Sequence, residues 1–199
     1  MSVGSGSGQP RPRDRQSGES RREVEDGAPR VGGRWNGEDV CTLIRPGSTR
    51  TACALLWDLD NVAPGHQHLA ALAEALSSLA GPDALCVAAG RRAMFRTARV
   101  LLAQSGIEIV SGGRRRDGAD KVLIARARLM SRADVGTFVV ASNDGRFARV
   151  AGLGELHVVT LDVSQVSLRL LSAATAVTQF VASGDRWHLE PLMHRRDCR

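Results

Sequence analysis

The sequence predicts an α/β domain with a mainly parallel sheet and helices on both faces. Short apolar runs bounded by Gly, Asp or Ser alternate along the chain with stretches whose apolar residues recur at helical spacing. Parallel neighbours in a sheet need long crossover connections, and these connections are usually helices. The alternation therefore favours a doubly wound sheet, in which ligands bind at the carboxyl ends of the strands.

The elements follow in order along the chain. The candidate strands are residues 52–58, 84–89, 107–110, 137–141, 156–160 and 174–178. The candidate helices are residues 68–79, 93–103, 119–130, 145–151 and 165–173. The first helix illustrates the pattern, because Leu69, Leu72 and Leu76 recur at the spacing that places them on one face.

Length and composition indicate one domain with two tails. A chain of 199 residues with 43% hydrophobic content can bury one sizeable core. Residues 1–50 are rich in Gly, Ser, Pro and Arg and offer little apolar surface, which predicts a disordered tail. We expect the folded domain to span residues 51–180, and residues 181–199 to form a flexible C-terminal extension.

Charge and cysteine content narrow the class of protein. The net charge of +6 permits an anionic partner such as nucleic acid. The four cysteines, Cys41, Cys53, Cys86 and Cys198, form no CxxC pair and have no histidine at metal-ligand spacing. We therefore expect reduced thiols rather than a zinc site or a disulfide framework. No apolar run is long enough to span a membrane and no leader is visible, so a soluble cytoplasmic protein is expected.

Polar side chains gather where the predicted strands end. These residues are Asp58, Asp60, Asn61, Asp120, Ser142, Asn143 and Asp144. Because parallel strands leave the sheet on one side, Asp58 and Asp144 should meet at one edge, with Asp120 in a helix that packs across it. Clustered carboxylates repel one another, and a divalent cation offsets this repulsion. Mg²⁺ or Mn²⁺ suits carboxylate oxygens and could activate water for attack on a phosphodiester.

Most of these acidic residues also have an ordinary structural interpretation. Asp120 could favour the positive end of a helix. Asp144 could cap a helix, and Asp60 and Asn61 could build a turn. Asp58 is the hardest to explain in this way, because it ends an apolar strand.

Arginine side chains border the same edge. Arg114, Arg115 and Arg116 lie in the loop after the third predicted strand, and further arginines follow along the second predicted helix. Arginine forks match phosphate oxygens, so the triple-arginine loop is predicted to contact an RNA backbone. The arginines of the helix are equally well explained as a solvated face.

Three segments of the chain resemble the signature blocks of the NYN domain family, a branch of the PIN-like nuclease superfamily. These segments are "LLWDLDNV", "RDGADKVLIARA" and "FVVASNDGRFARVA", and the resemblance covers about residues 52–180. The positions that match are Asp58 and Asn61, Gly118 and Asp120, and Ser142, Asp144 and Phe147.

The resemblance implies a three-layer PIN-like fold and a metal-dependent endoribonuclease. Asp58, Asp120 and Asp144 would hold Mg²⁺ or Mn²⁺, and Asn61 would orient substrate or water. Asp60, Ser142 and Asn143 are further candidates for the same site.

Two departures from the family pattern open an alternative. Arg126 and Arg146 stand where the family commonly has further aspartates, and Asp117 stands where it often has lysine. The added charge could bind RNA phosphates, with Arg146 as a candidate contact, or could mark a domain that binds RNA or protein without cleaving RNA.

A phosphatase is a further alternative. "DLDNV" fits the opening of haloacid dehalogenase-like phosphatases, with Asp58 as nucleophile and Asp60 as general acid or base. That family requires a lysine after a Ser or Thr strand end, whereas Lys121, the chain's one lysine, precedes Ser142.

Overall fold

The protein contains one seven-stranded sheet in a computed structural model that describes residues 52–183 and 186–194. The strands are β1 (Ala52–Asp58), β2 (Leu85–Gly90), β3 (Glu108–Ser111), β4 (Val135–Ala141), β5 (Glu155–Thr160), β6 (Ala176–Ser183) and β7 (Arg186–His194). Their order across the sheet is β3-β2-β1-β4-β5-β6-β7. All neighbouring pairs are parallel except β6 and β7, which run antiparallel.

Helices connect the strands and cover the sheet. The α-helices are α1 (Leu69–Ala80), α2 (Arg92–Leu101), α3 (Gly118–Arg132) and α4 (Leu168–Ala173). Three 3-10 helices span His66–His68, Gly145–Gly152 and Val163–Gln165. The predicted α/β class, with helices on both faces of a mainly parallel sheet, is confirmed.

Strand β1 lies at the centre of the sheet and is buried on both faces. Leu55 and Trp57 pack with α1 and α2, whereas Ala54 and Leu56 pack with α3 and α4 on the other face. All four side chains are fully buried. This explains the unbroken apolar run that precedes Asp58, because a central parallel strand meets a helical layer on each side.

The strand order changes direction at β1. The chain moves from β1 to β2 and β3 on one side, then returns through α3 to β4 on the other. The register aligns Trp57 with Ala88 of β2 and with Ala141 of β4. The residues that follow β1 and β4 therefore lie side by side at the switch point, where ligands bind in sheets of this type.

Strand β7 corrects the expected C-terminal boundary. We predicted that the chain leaves the domain after about residue 180, but Arg186–His194 pairs with β6 along its length. Trp187 stacks on Phe180, with ring centroids 4.8 Å apart, and Leu189 is buried. Pro191 has no N–H to donate to a neighbouring strand, so its presence argued against a strand in this segment. Proline is tolerated here because β7 lies at the edge of the sheet. The predicted disordered tail, residues 1–50, lies outside the described residues.

Some helix predictions also need correction. The segment after β4 is a 3-10 helix, Gly145–Gly152, and the predicted helix 165–173 shortens to Leu168–Ala173. Val100 on α2 is 77% exposed, because the apolar face of this helix is carried by Ala98 and the adjoining Leu102.

Two of the expected thiols fall within the described residues. Within the described residues, Cys53 on β1 and Cys86 on β2 form no disulfide. Cys41 and Cys198 lie outside the described residues. Among the helices of residues 52–183 and 186–194, none combines the length and apolar character needed to cross a membrane.

Candidate functional site

Asp58 ends β1 in a fully buried position with hydrogen-bond donors around its carboxylate. Its Oδ1 accepts from the backbone N–H of Asp60 at 3.1 Å. Its Oδ2 accepts from Ser142 Oγ at 3.0 Å and from the side-chain amide of Asn61. Three of the predicted site residues, Asp58, Asn61 and Ser142, are thus joined in one network across the switch point.

Burial raises the pKa of Asp58 to about 6, because the charged carboxylate loses its hydration. The hydrogen bond from Asn61 opposes this rise, and the negative charge of Asp120 adds to it. The charge of Asp120 acts on Asp58 from the first turn of α3. Asp58 therefore titrates near neutral pH rather than as an ordinary surface aspartate.

A close approach between two glycines positions Asp120. An added Cβ at Gly118 would overlap the carbonyl oxygen of Gly112, and one at Gly112 would overlap the backbone of Ala119. The loop after β3 can therefore close tightly on the start of α3 only with glycine at both positions. This closure places Asp120 in the first turn of α3, where it is 5% exposed.

Arg146 reaches into this acidic edge. Its Nη1 lies 2.7 Å from Oδ2 of Asp120, 2.8 Å from Oδ1 of Asp117 and 3.9 Å from Oδ2 of Asp144. Hydrogen bonds from Arg146 hold the pKa of Asp117 below its usual value, and the same carboxylates raise the pKa of Arg146. One guanidinium therefore serves as the counter-ion for several carboxylates.

Asp144 has a structural role in addition to its place at this edge. Its Oδ1 accepts from the backbone N–H of Arg146 at 2.8 Å and so caps the 3-10 helix Gly145–Gly152. The backbone N–H of Asp144 in turn donates to Ser142 Oγ at 3.2 Å. Ser142 therefore links Asp58 to the strand end that carries Asp144.

Asn143, the remaining candidate after β4, points to β5 instead. Its Oδ1 accepts a 2.6 Å hydrogen bond from Thr160, which is fully buried. Its carbonyl oxygen accepts from the backbone N–H of Ser167 at 3.0 Å. These contacts give Asn143 a structural role in joining β4, β5 and the segment before α4.

Asp60 faces away from Asp58. Its Oδ2 accepts from the backbone N–H of Arg91 at 2.9 Å, and its Oδ1 lies 3.3 Å from Arg91 Nε. These bonds fasten the loop after β1 to the start of α2. The two carboxylates that the phosphatase alternative requires thus have different partners.

An open groove borders the site on the β2–β3 side. Asn61 and Asp60 form one wall of it, and the start of α2 and the loop after β3 form the other. The basic side chains that line it are His66, Arg91, Arg92 and Arg114. Arg115 and Arg116 are exposed in the same loop. The sheet edge therefore combines a buried acidic pocket with a basic groove.

The predicted metal site does not fit the residues as they are arranged. Within the described part of the chain, no three His, Cys, Asp or Glu side chains form a group suited to a metal ion. Both oxygens of Asp58 accept hydrogen bonds, and Arg146 holds one oxygen of Asp120. The guanidinium of Arg146 already offsets the charge of the carboxylates that we expected to bind Mg²⁺ or Mn²⁺.

Sequence reasoning missed one contributor to this site and misjudged another residue. Asp117 was noted only as a departure from the family pattern, yet it pairs with Arg146. Arg126, the other unusual arginine, stays out of the site and bonds to Glu108 at 2.6 Å. The position of Arg126 six residues beyond Asp120 on α3 could have indicated this, because that separation carries it almost two helical turns along the axis.

Comparisons with known proteins support the fold alone. No family model matches the chain, and no curated protein matches it. A crystal structure of a Vibrio parahaemolyticus protein of unknown function is similar, with a TM-score of 0.50 and 18% sequence identity. The match covers 68% of this chain and 95% of the other. The NYN resemblance therefore stays a prediction.

Proposed function

We propose that this domain binds RNA by its phosphate backbone, on a nuclease-like fold, without cleaving it in the arrangement described. The supporting observation is the placement of Arg146 among the carboxylates, which leaves the acidic pocket without a set of ligands for a catalytic metal. The basic groove beside the pocket supplies the binding surface.

The groove has the chemistry that phosphate recognition requires. Arg92 and Arg114 are both exposed, and they lie near one another because the backbone N–H of Arg92 donates to the carbonyl oxygen of Gly113 at 3.0 Å. A strand lying along the groove would therefore meet two guanidinium groups. Arg91 is held by Asp60, which fixes the start of α2. A single strand suits the groove because the contacts are to phosphates rather than to a duplex shape.

Fluorescence anisotropy with a short labelled single-stranded RNA tests this proposal. EDTA in the buffer keeps divalent metals out of the measurement. We expect binding that the double variant Arg92→Glu/Arg114→Glu abolishes, because it replaces two neighbouring positive charges of the groove with negative ones. Arg128→Glu/Arg132→Glu, at two exposed positions farther along α3, is the charge-matched control and should bind almost as the parent does. Equal affinities for all three proteins would refute the proposal.

The metal-dependent endoribonuclease is the second candidate. Its support is the convergence of Asp58 and Asp120, since Mg²⁺ can be held by one or two carboxylates together with waters and substrate phosphates. Incubation of labelled RNA with Mn²⁺, with EDTA in a parallel sample, tests it. Metal-dependent cleavage that Asp58→Asn removes would establish this candidate over the non-cleaving one.

The expected cytoplasmic location belongs with these proposals. It is compatible with Cys53 and Cys86, which form no disulfide in the described part of the chain. Fractionation of cells that express the full chain would test it.

A further inference from the structure

The strongest unexplained feature is the convergence of acidic residues on one nitrogen atom. Nη1 of Arg146 lies within 2.8 Å of oxygens from both Asp117 and Asp120, and 3.9 Å from an oxygen of Asp144. These residues come from the start of α3 and from the strand end of β4. Nη1 of Arg146 therefore has carboxylate oxygens around it from two elements, as a bound cation would.

The backbone of Arg146 is held as firmly as its side chain. Its N–H donates to Asp144 Oδ1, while its guanidinium donates to Asp120 Oδ2. The side chain of Arg146 is 44% exposed, whereas that of Asp120 is 8% exposed. Arg146 thus covers a buried carboxylate from the solvent side, which is the direction from which a metal ion would enter.

A divalent ion would meet two obstacles in this pocket. It would have to displace the guanidinium from Asp120, and it would be repelled by that positive charge until the side chain left. Asp58 offers no easy alternative, because Asp60, Asn61 and Ser142 already donate to its carboxylate.

We infer that Arg146 is the resident cation of the acidic pocket and that it excludes divalent metal ions from Asp58, Asp120 and Asp144. Removal of its charge would expose a latent divalent-cation site. This inference concerns metal binding and does not depend on the RNA-binding proposal.

Titration of the full chain with Mn²⁺ alone, followed through the electron paramagnetic resonance signal of the free ion, tests this inference. Arg146→Gln keeps hydrogen-bonding capacity and removes the charge, and Arg146→Ala removes both. Arg149→Ala is the matched control, because Arg149 carries the same charge and is exposed on the same 3-10 helix. Thermal unfolding establishes that each variant is folded.

We expect weak Mn²⁺ binding by the parent and by Arg149→Ala. Arg146→Gln should bind Mn²⁺ about tenfold more tightly or better, since a like charge has been removed from beside the ion. Addition of Asp120→Asn to Arg146→Gln should remove the gain.

Three results would overturn the inference. The first is Mn²⁺ binding by the parent as tight as that by Arg146→Gln. The second is no gain in affinity in either Arg146 variant, and the third is a gain that persists when Asp120→Asn is added. If both Arg146 variants fail to fold, tight Mn²⁺ binding by the parent that Asp120→Asn weakens would still overturn the inference. The RNA-binding test uses variants of Arg92 and Arg114 in EDTA, whereas the metal test uses variants of Arg146. Failure of one proposal can therefore be distinguished from failure of the other.

Discussion

Arg146 donates a 2.7 Å hydrogen bond to Asp120, although 26 positions separate the two residues in the chain. The bond joins the 3-10 helix after β4 to the first turn of α3, across the edge where nuclease-like chemistry would be expected. An ion pair at this position supplies a positive charge beside the clustered carboxylates, which would otherwise repel one another. Arg146 already offsets their mutual repulsion, and exposed arginines of the groove, Arg92 and Arg114, lie at the same edge.

Loss of the Arg146 guanidinium should destabilise the fold. Arg146→Ala would leave Asp120 buried beside Asp58 with no opposite charge, so we expect a lower free energy of unfolding than in the parent. Urea unfolding at low ionic strength measures it. Arg149→Ala should change stability by less than about 0.5 kcal/mol, and equal effects of the two substitutions would contradict the counter-ion role.

The pKa of Asp58 predicts a pH dependence of stability. Because the folded-state value is about 6 and the ordinary value is 3.8, the folded state binds more protons between these limits. Stability contributed by this group should be full below about pH 4, fall as pH rises to about 6, and then stay lower, by about 3 kcal/mol in total. Asp58→Asn should remove this component of the slope.

The matched control for that measurement is Asp83→Asn in the exposed turn after α1. It should leave the slope of stability against pH between about 4 and 6 as in the parent. If Asp58→Asn and Asp83→Asn give the same slope as the parent, Asp58 does not titrate as the structure predicts.

Gly118→Ala should disrupt the loop that positions Asp120. The added methyl group would overlap the carbonyl oxygen of Gly112, and neither backbone can yield without opening the loop. We expect a loss of about 2 kcal/mol or more in unfolding free energy. Gly152→Ala is the control, because nothing lies within 4 Å of its added Cβ. A parent-like melting temperature for Gly118→Ala would show that the close approach is not required.

Trp187 should be needed for stability, since β7 belongs to the domain. Its ring stacks on Phe180 and lies 4.7 Å, between centroids, from that of His68. Trp187→Ala should cost about 2–4 kcal/mol in chemical denaturation. Leu192→Ala, on the same strand but 42% exposed, should cost much less. Similar small losses for both would mean that β7 contributes little to the core.

The salt dependence of RNA binding should report the groove contacts one at a time. Arg92→Gln should weaken binding for every RNA sequence and lower the slope of log affinity against log salt by about 0.7. Anisotropy titrations at several salt concentrations measure the slope. Arg128→Gln should leave it unaltered, and a sequence-selective loss with Arg92→Gln would indicate base recognition instead.

Strand positions could be predicted from sequence because β1 and β4 are apolar runs that end abruptly in polar residues. The same argument brought Asp58, Asn61 and Ser142 together, since parallel strands end at one edge. The direction of a long side chain does not follow from such patterns. Arg146 was a candidate phosphate contact, yet it turns inward to Asp120, because buried carboxylates attract it more strongly than solvent does.

Strand β7 escaped prediction for a related reason. Its residues alternate poorly, and its one proline argues against a strand unless the strand is known to lie at an edge. Only the partner strand settles that question. Asp117 was overlooked because nothing in its local sequence indicates a pairing with a residue that follows β4.

The hydrogen bond from Ser142 to Asp58 spans 84 positions of sequence, and it joins the two halves of the sheet at their boundary. The pocket consequently cannot assemble locally as the chain emerges. A nascent chain that has completed β1 to β3 possesses Asp58 and Asn61 but lacks the hydroxyl and the guanidinium that complete the pocket. The charges of the pocket are balanced only when the long-range contacts of β4 have formed. We expect this step to be slow, because the chain between Asp58 and Ser142 must close into a long loop.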